Sequence, residues 1–332
     1  MKERRVVRNG LVILLLIAVW ISPGNAEEAD GGYAGAFFQV PLGARPTAMG
    51  GAYLAVSNDG AAPLYNPAGL ANLPRPLFAS SYRVMRLDRT LGYVVFMHPV
   101  ENRAVIGVHW LYAGSGSVEA RDTDGDLLGR EISFNNHQFA VVFAKRFERY
   151  LSFGVNLNYL YARMPEISAA SVGFDIGLMF YLDQLMDREK RADFPVRDMQ
   201  VGVTMKHISK TYSWNAEKYN MLYSTDHTGY EQDDKVPIEF GLGMAARFME
   251  RRLLIAVDVL KNEKQNSFLH AGAEFYYEEQ LALRTGYSNG CFTAGTGYLF
   301  RLGKQVLLID YAFTTDRADE GSEHIFSFDL QF

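Results

Sequence analysis

From residue 77 to the C-terminus the chain alternates with period two, one parity apolar and the other small or polar. In 151–161, Leu151, Phe153, Val155, Leu157, Tyr159 and Tyr161 alternate with Ser152, Gly154, Asn156, Asn158 and Leu160. In 172–182, Val172, Phe174, Ile176, Leu178 and Phe180 alternate with Gly173, Asp175, Gly177 and Met179. The stretch 236–248 sets Val236, Ile238, Phe240, Leu242, Met244 and Phe248 against Glu239, Gly241, Gly243 and Arg247. The last stretch sets Phe326, Phe328, Leu330 and Phe332 against Ser327, Asp329 and Gln331. Such alternation marks strands with two different faces. It predicts fourteen of them, at 77–86, 91–98, 104–113, 136–147, 150–163, 170–182, 198–208, 236–248, 252–260, 268–277, 280–287, 291–300, 305–313 and 323–332.

A soluble sandwich would alternate in the same way with its apolar face inward. Three features favour a transmembrane antiparallel outer-membrane β-barrel instead. The polar parity is rich in Gly and Ala and carries charges suited to burial. The strands run to about ten residues, the length of a tilted membrane strand. The chain also ends in an aromatic, Phe332, on the apolar parity. An even strand count places both barrel ends on the periplasmic side. The long connections 114–135 and 209–235 then fall outside the cell, and the charged connection 183–197 falls in the periplasm.

The first 26 residues read differently. Lys2, Arg4, Arg5 and Arg8 precede an apolar run from Leu11 to Ile21, then Pro23 and the small residues Gly24-Asn25-Ala26. This is the order of a cleaved secretory signal, and the apolar run is short for a membrane span. The whole chain of 332 residues has net charge −5, which becomes −8 without this segment. No basic excess exists to neutralise phosphates, so no nucleic-acid partner is expected. The one cysteine, Cys291, excludes a disulfide framework and a Cys-rich zinc site.

Between signal and strands, residues 27–76 do not alternate. They hold Pro41-Leu42-Gly43-Ala44-Arg45-Pro46-Thr47-Ala48-Met49-Gly50-Gly51-Ala52, then Ser57-Asn58-Asp59-Gly60, then Tyr65-Asn66-Pro67-Ala68-Gly69-Leu70. In this order the segment resembles the start of the PorV/PorQ family, within the FadL-like outer-membrane transporters. The resemblance implies that 27–76 folds into the barrel 77–332 as a plug or hatch, with Gly50, Gly51, Asn66, Pro67 and Ala68 at the gating positions. Local chemistry agrees. A fourteen-strand barrel is too wide for its own side chains to fill. Gly50, Gly51 and Gly60 permit close backbone approach, and Asn66 before Pro67 suits the cap of a short helix through Leu70.

The inward parity places Asp175, Lys206, Glu239, Arg247, Asp258, His270, Glu274, Arg284, Asp310 and Asp329 in the lumen. A tight hairpin centred near residue 279 sets Glu274 opposite Arg284, with Asp310 within reach. These charges scatter over depth and strand, without a Ser-His or Asp-His constellation, so they read as a self-satisfying network and no enzyme is expected. The run Asp122-Thr123-Asp124-Gly125-Asp126 departs from the calcium-loop pattern, with Leu127 and Ser133 where it needs Gly and Glu. It reads as an exposed turn. Neither a metal nor a cofactor is expected.

Two functions stay open beyond contact with membrane lipid. A transport barrel would pass a hydrophobic or amphipathic small molecule. A non-catalytic scaffold would hold a secreted protein, as PorV and PorQ do in type IX secretion. Loop 209–235, with Tyr212, Trp214, Tyr219 and Tyr223, is aromatic enough for either.

Overall fold

The computed structural model describes residues 33–101, 103–121, 124–165, 167–186, 196–215, 231–288, 290–315 and 321–332. The expected signal 1–26, Tyr219 and Tyr223, Asp122 and Thr123, and most of the connection 183–197 lie outside the described residues.

The strands are β1 (Leu77–Val84), β2 (Thr90–Val100), β3 (Ala104–Arg121), β4 (Leu127–Glu148), β5 (Leu151–Arg163) and β6 (Ser168–Tyr181). They continue with β7 (Arg197–Ile208), β8 (Thr211–Asn215), β9 (Glu231–Lys235), β10 (Glu239–Phe248) and β11 (Leu253–Asn262). The last five are β12 (Phe268–Tyr277), β13 (Leu281–Ser288), β14 (Cys291–Leu302), β15 (Gln305–Thr315) and β16 (Ser322–Gln331). Fourteen of them close into an antiparallel barrel. β1 pairs with β16 from Leu77↔Gln331 to Val84↔His324, and β5 pairs with β6 from Leu151↔Phe180 to Arg163↔Ser168. Closure leaves the barrel ladder no unpaired edge.

The apolar parity points outward. Leu157, Tyr159, Val172, Phe326 and Phe328 are exposed, whereas Ser152, Asn156, Asn158 and Asp175 are buried. A surface this apolar suits lipid and not water, as in transmembrane barrels. No helix among the described residues is long and apolar enough to cross a membrane.

Three sequence-based boundaries change. Connection 114–135 is mostly strand: β3 and β4 run on as a two-stranded ribbon, pairing Ser117↔Ser133 and Val118↔Ile132 beyond the last β2 pair, Thr90↔Gly114. In 209–235, β8 and β9 form a hairpin that joins β6 through Ala169↔Trp214. Both ribbons extend beyond the closed barrel ladder, and strand geometry continues there without the regular apolar alternation of the barrel wall. Val236, expected on the lipid parity, precedes β10 and is 2% exposed, packed with Tyr212 under the hairpin.

The lumen is occupied. Residues 33–76 fold inside it as a 3-10 turn at Ala36–Gln39, α1 (Ala44–Ala48), α2 (Ala62–Tyr65) and a second 3-10 turn at Pro67–Asn72. The wall accommodates their backbone with glycine. A Cβ on Gly154 would overlap Pro67 and Ala68, one on Gly177 would overlap Asn66, and one on Gly286 would overlap Met49 and Gly50. The small parity of the strands is therefore largely a docking surface for the N-terminal segment.

Candidate functional site

Each expected hatch residue meets the wall at a defined place. Asn66 caps the turn at Pro67–Asn72, accepting from the Ala68 amide at 3.1 Å. Its Nδ2 also donates to the Leu54 carbonyl at 2.9 Å and to the Leu178 carbonyl of β6 at 3.0 Å. Pro67 and Ala68 press on Gly154 of β5. Gly50 and Gly51, at φ 64° and 79°, make a turn against β12 and β13 that L residues would strain. There the Gly50 carbonyl lies 2.7 Å from His270 Nδ1, which is also 3.0 Å from Ser288 Oγ.

Wall side chains hold plug backbone at several more points. Asp258 Oδ2 accepts from the Tyr53 and Leu54 amides at 2.5 and 2.7 Å. Asp329 accepts from the Gly60 amide at 2.9 Å, Ser327 Oγ from the Ala44 amide at 2.7 Å, and Asn156 donates to the Pro63 carbonyl at 2.7 Å. Buried backbone polar groups need such partners.

The lumen charges divide into clusters. Glu274 and Arg284 face each other in register, Arg284 Nε lying 2.8 Å from Glu274 Oε2 and Arg284 Nη1 2.6 Å from Asp310 Oδ1. Arg247 stands at the edge of this cluster, Nη2 4.0 Å from Glu274 Oε1. Glu239 pairs with Lys206 at 2.7 Å and accepts from Gln39 at 3.3 Å. Asp175 pairs with Lys210 at 3.0 Å and accepts from Asn158 at 2.8 Å and from the His207 amide at 2.8 Å.

Sequence reasoning did not find the residue that joins plug to network. Arg45 is a forked donor: Nε and Nη2 bond the two Glu274 oxygens at 2.7 and 2.9 Å. Its Nη1 reaches Tyr53 Oη at 2.9 Å, Asn58 Oδ1 at 2.7 Å and Asp59 Oδ2 at 3.0 Å. Planar bidentate contact is the geometry that arginine provides and lysine does not. Burial works against the Arg45 charge, but Glu274, Tyr53, Tyr276 and Asp59 around it hold the guanidinium more firmly protonated than usual. Burial, together with the Asp59 carboxylate, pushes the Tyr53 phenol well above its ordinary value, so it remains a donor to Asp59. One signal was present: Arg45 and Asp59 are the only charged residues between Tyr33 and Pro74.

Two cavities flank this layer. The one at the barrel end where β1 stops and β16 begins is about 300 Å³, with Phe37, Phe38, Leu64, Leu91, Leu111 and Phe268 among its walls. Of its charged groups, Arg83 is paired with Glu323 and Lys206 with Glu239, while Arg89 donates Nε to the Arg86 carbonyl at 3.0 Å. The cavity at the opposite end, which the strand count predicts to be periplasmic, is about 660 Å³ and is bordered by Arg45, Asp59, Arg247 and Glu250. The turn from α1 to Gly51 lies between them, Thr47 and Gly50 facing the first cavity and Arg45 the second.

The aromatic loop residues are not equivalent. Tyr212 is 2% exposed and packs on Leu160, Ala162 and Val236 beneath the β8–β9 hairpin, so its ring is withdrawn from any external partner. Trp214 is half-buried beside it, with ring centroids 5.8 Å apart.

Among solved structures, the toluene transporter TodX of Pseudomonas putida matches with TM-score 0.56 and 13% identity over 86% of this chain and 96% of its own. A FadL homologue of Pseudomonas aeruginosa matches with TM-score 0.58 and 11% identity over 88% of this chain and 98% of its own. The fold is that of the FadL-type channels. The monoaromatic hydrocarbon channel CymD shares it as well, with TM-score 0.56 and 13% identity over 88% of this chain and 98% of its own. No family model matches the chain, and no curated protein does. A barrel of this fold thus carries the plug, the two cavities and the ionic layer between them.

Proposed function

We infer that this protein is an outer-membrane conduit for small hydrophobic compounds, exported by a cleaved signal and gated by the segment 33–76. The observation that carries the reading is the cavity of about 300 Å³ with Phe37, Phe38, Leu64, Leu91, Leu111 and Phe268 among its walls, lying against the plug at Thr47, Gly50 and Gly51. Pockets near this size hold a single small ligand and bury most of its surface. Because Arg83 and Lys206 there are each already paired with a carboxylate, a neutral compound fits better than a carboxylate, whose charge would lie beside Glu323 and Glu239. TodX and CymD, described as a toluene transporter and a monoaromatic hydrocarbon channel, make toluene the first compound to try.

Within the superfamily, the GAR, MGGA and NPAGL stretches support the PorV/PorQ branch. A scaffold for secreted proteins needs exposed aromatic anchors, and buried Tyr212 weighs against it. The reading assigns the charged residues to plug docking, without catalysis. The test is uptake of labelled toluene by cells that carry the full chain in their outer membrane, compared with cells lacking it. Equal uptake would remove the conduit reading.

A further inference from the structure

Glu274 has three arginines around it, and they differ in what they are attached to. Arg284 belongs to the adjacent strand β13 and is fully buried at 2.8 Å. Arg45 belongs to the plug and binds both carboxylate oxygens. Arg247 belongs to β10 at the larger cavity, with 18% of its side chain exposed, Nη2 4.0 Å from Glu274 and Nε 3.7 Å from Asp198.

Separating a buried pair is costly because it strands an uncompensated charge. Here neither side would be stranded. Arg45 would keep Asp59, Asn58 and Tyr53, which lie in the plug beyond the Gly50–Gly51 hinge, because the turn can pivot about this side of the guanidinium. Glu274 would keep Arg284, and Arg247 needs only to close from 4.0 Å to the roughly 2.8 Å of a charge-assisted bond. The segment that must move is bounded by glycines at positive φ, Gly43 at 95° on one side and Gly50 and Gly51 at 64° and 79° on the other. Hinges are places that absorb a change of φ and ψ, and glycine does so without a steric penalty.

We propose that the Arg45–Glu274 pair is the latch of the floor between the two cavities, and that Arg247 takes Arg45's place on Glu274 when the turn at Ala44–Met49 pivots off Glu274 toward Asp59. The proposal rests on the conduit reading and adds the switch to it. It requires opposite roles for two arginines near one carboxylate: Arg45 holds the closed state and Arg247 supports the open one. A merely structural network would not give opposite signs, because any loosening of it would favour opening.

The test is single-channel recording of the full-length protein in planar bilayers in potassium chloride, with heat-modifiable migration certifying each variant as a folded barrel. Arg45→Lys keeps the charge and loses the fork, and it should raise the frequency of openings roughly tenfold or more over wild type. Adding Arg247→Gln to Arg45→Lys should bring that frequency down several-fold. Openings at the wild-type frequency in Arg45→Lys would overturn the latch. A further rise on adding Arg247→Gln would overturn the exchange. If Arg45→Lys fails to fold, Arg247→Gln alone replaces it: it should lower the frequency of openings several-fold below wild type, and an unchanged or higher frequency would overturn the exchange. Toluene uptake by cells carrying the wild type tests the conduit separately, so a failed latch with intact uptake leaves that reading standing.

Discussion

Glu274 on β12 and Arg284 on β13 stand directly opposite each other in the ladder, with both side chains buried and 2.8 Å between Nε and Oε2. The hairpin alone predicts this pair, yet the pair is only the middle of a longer chain. Arg45 binds Glu274 from the plug and Asp310 binds Arg284 from β15.

Charge reversal at this pair will therefore behave asymmetrically. Arg284→Glu should destabilise the folded barrel by about 3–5 kcal/mol, since it places like charges in a buried site. The reciprocal Glu274→Arg, added to it, should restore little. It re-forms the β12–β13 pair but sets a guanidinium beside Arg45 and leaves a carboxylate beside Asp310. Denaturant unfolding in detergent micelles measures both. Restoration to near wild type would show that Arg45 and Asp310 are not coupled to the pair.

Asn66 makes three side-chain hydrogen bonds, one to cap its own turn and two to carbonyls of Leu54 and Leu178. A cap alone is worth about 1 kcal/mol, so Asn66→Ala should cost more, roughly 2–3 kcal/mol. Asn66→Asp keeps the cap acceptor and loses both Nδ2 donors, and it should be no milder than Asn66→Ala. Protease accessibility of the segment 33–76 in reconstituted protein reads the same loosening without unfolding the barrel.

The outward C-terminal face should govern insertion. Phe328 is 42% exposed on β16 and packs near Phe78 with ring centroids 6.0 Å apart, and Phe332 stacks near Phe96 at 6.3 Å. Phe328→Asp puts a charge against lipid, at a cost of up to a few kcal/mol set by depth. That variant and deletion of Phe332 should both lower the heat-modifiable, membrane-inserted fraction. Unchanged yield of both would place this face away from lipid.

Tyr212 offers a way to separate transport from docking at the mouth. Tyr212→Ala removes a buried ring that packs with Phe38's neighbours above the smaller cavity. Toluene uptake should change, while binding of external proteins should not, because the ring is not exposed. Trp214→Ala, at a half-buried position, serves as the comparison.

Much of the architecture was legible because strand signals are local. Period-two alternation names the strand and both of its faces at once. The ends of β12 fall at Phe268 and Tyr277, as the alternation predicts, and a tight hairpin turn then fixes the register of Glu274 with Arg284. The extracellular ribbons were not legible in the same way. Outside lipid the outward face no longer has to be apolar, so β8, β9 and the outer parts of β3 and β4 lack the pattern that marks the rest.

What tertiary structure alone decided is the purpose of the inward parity. From the sequence, Gly154 and Gly177 are small residues on the inward parity of their strands. In the fold Gly154 and Gly286 are places where plug backbone lies against the wall, and Gly177 makes room for the Asn66 side chain. From the sequence, Arg45 is one cation in a small-residue segment. Its partner Glu274 lies 229 residues away, and the fork that joins them exists only once the barrel has closed around the plug. Periodicity fixes which face a residue takes, because that depends on its neighbours along the chain. What the face meets depends on packing across the lumen, and no local pattern carries that.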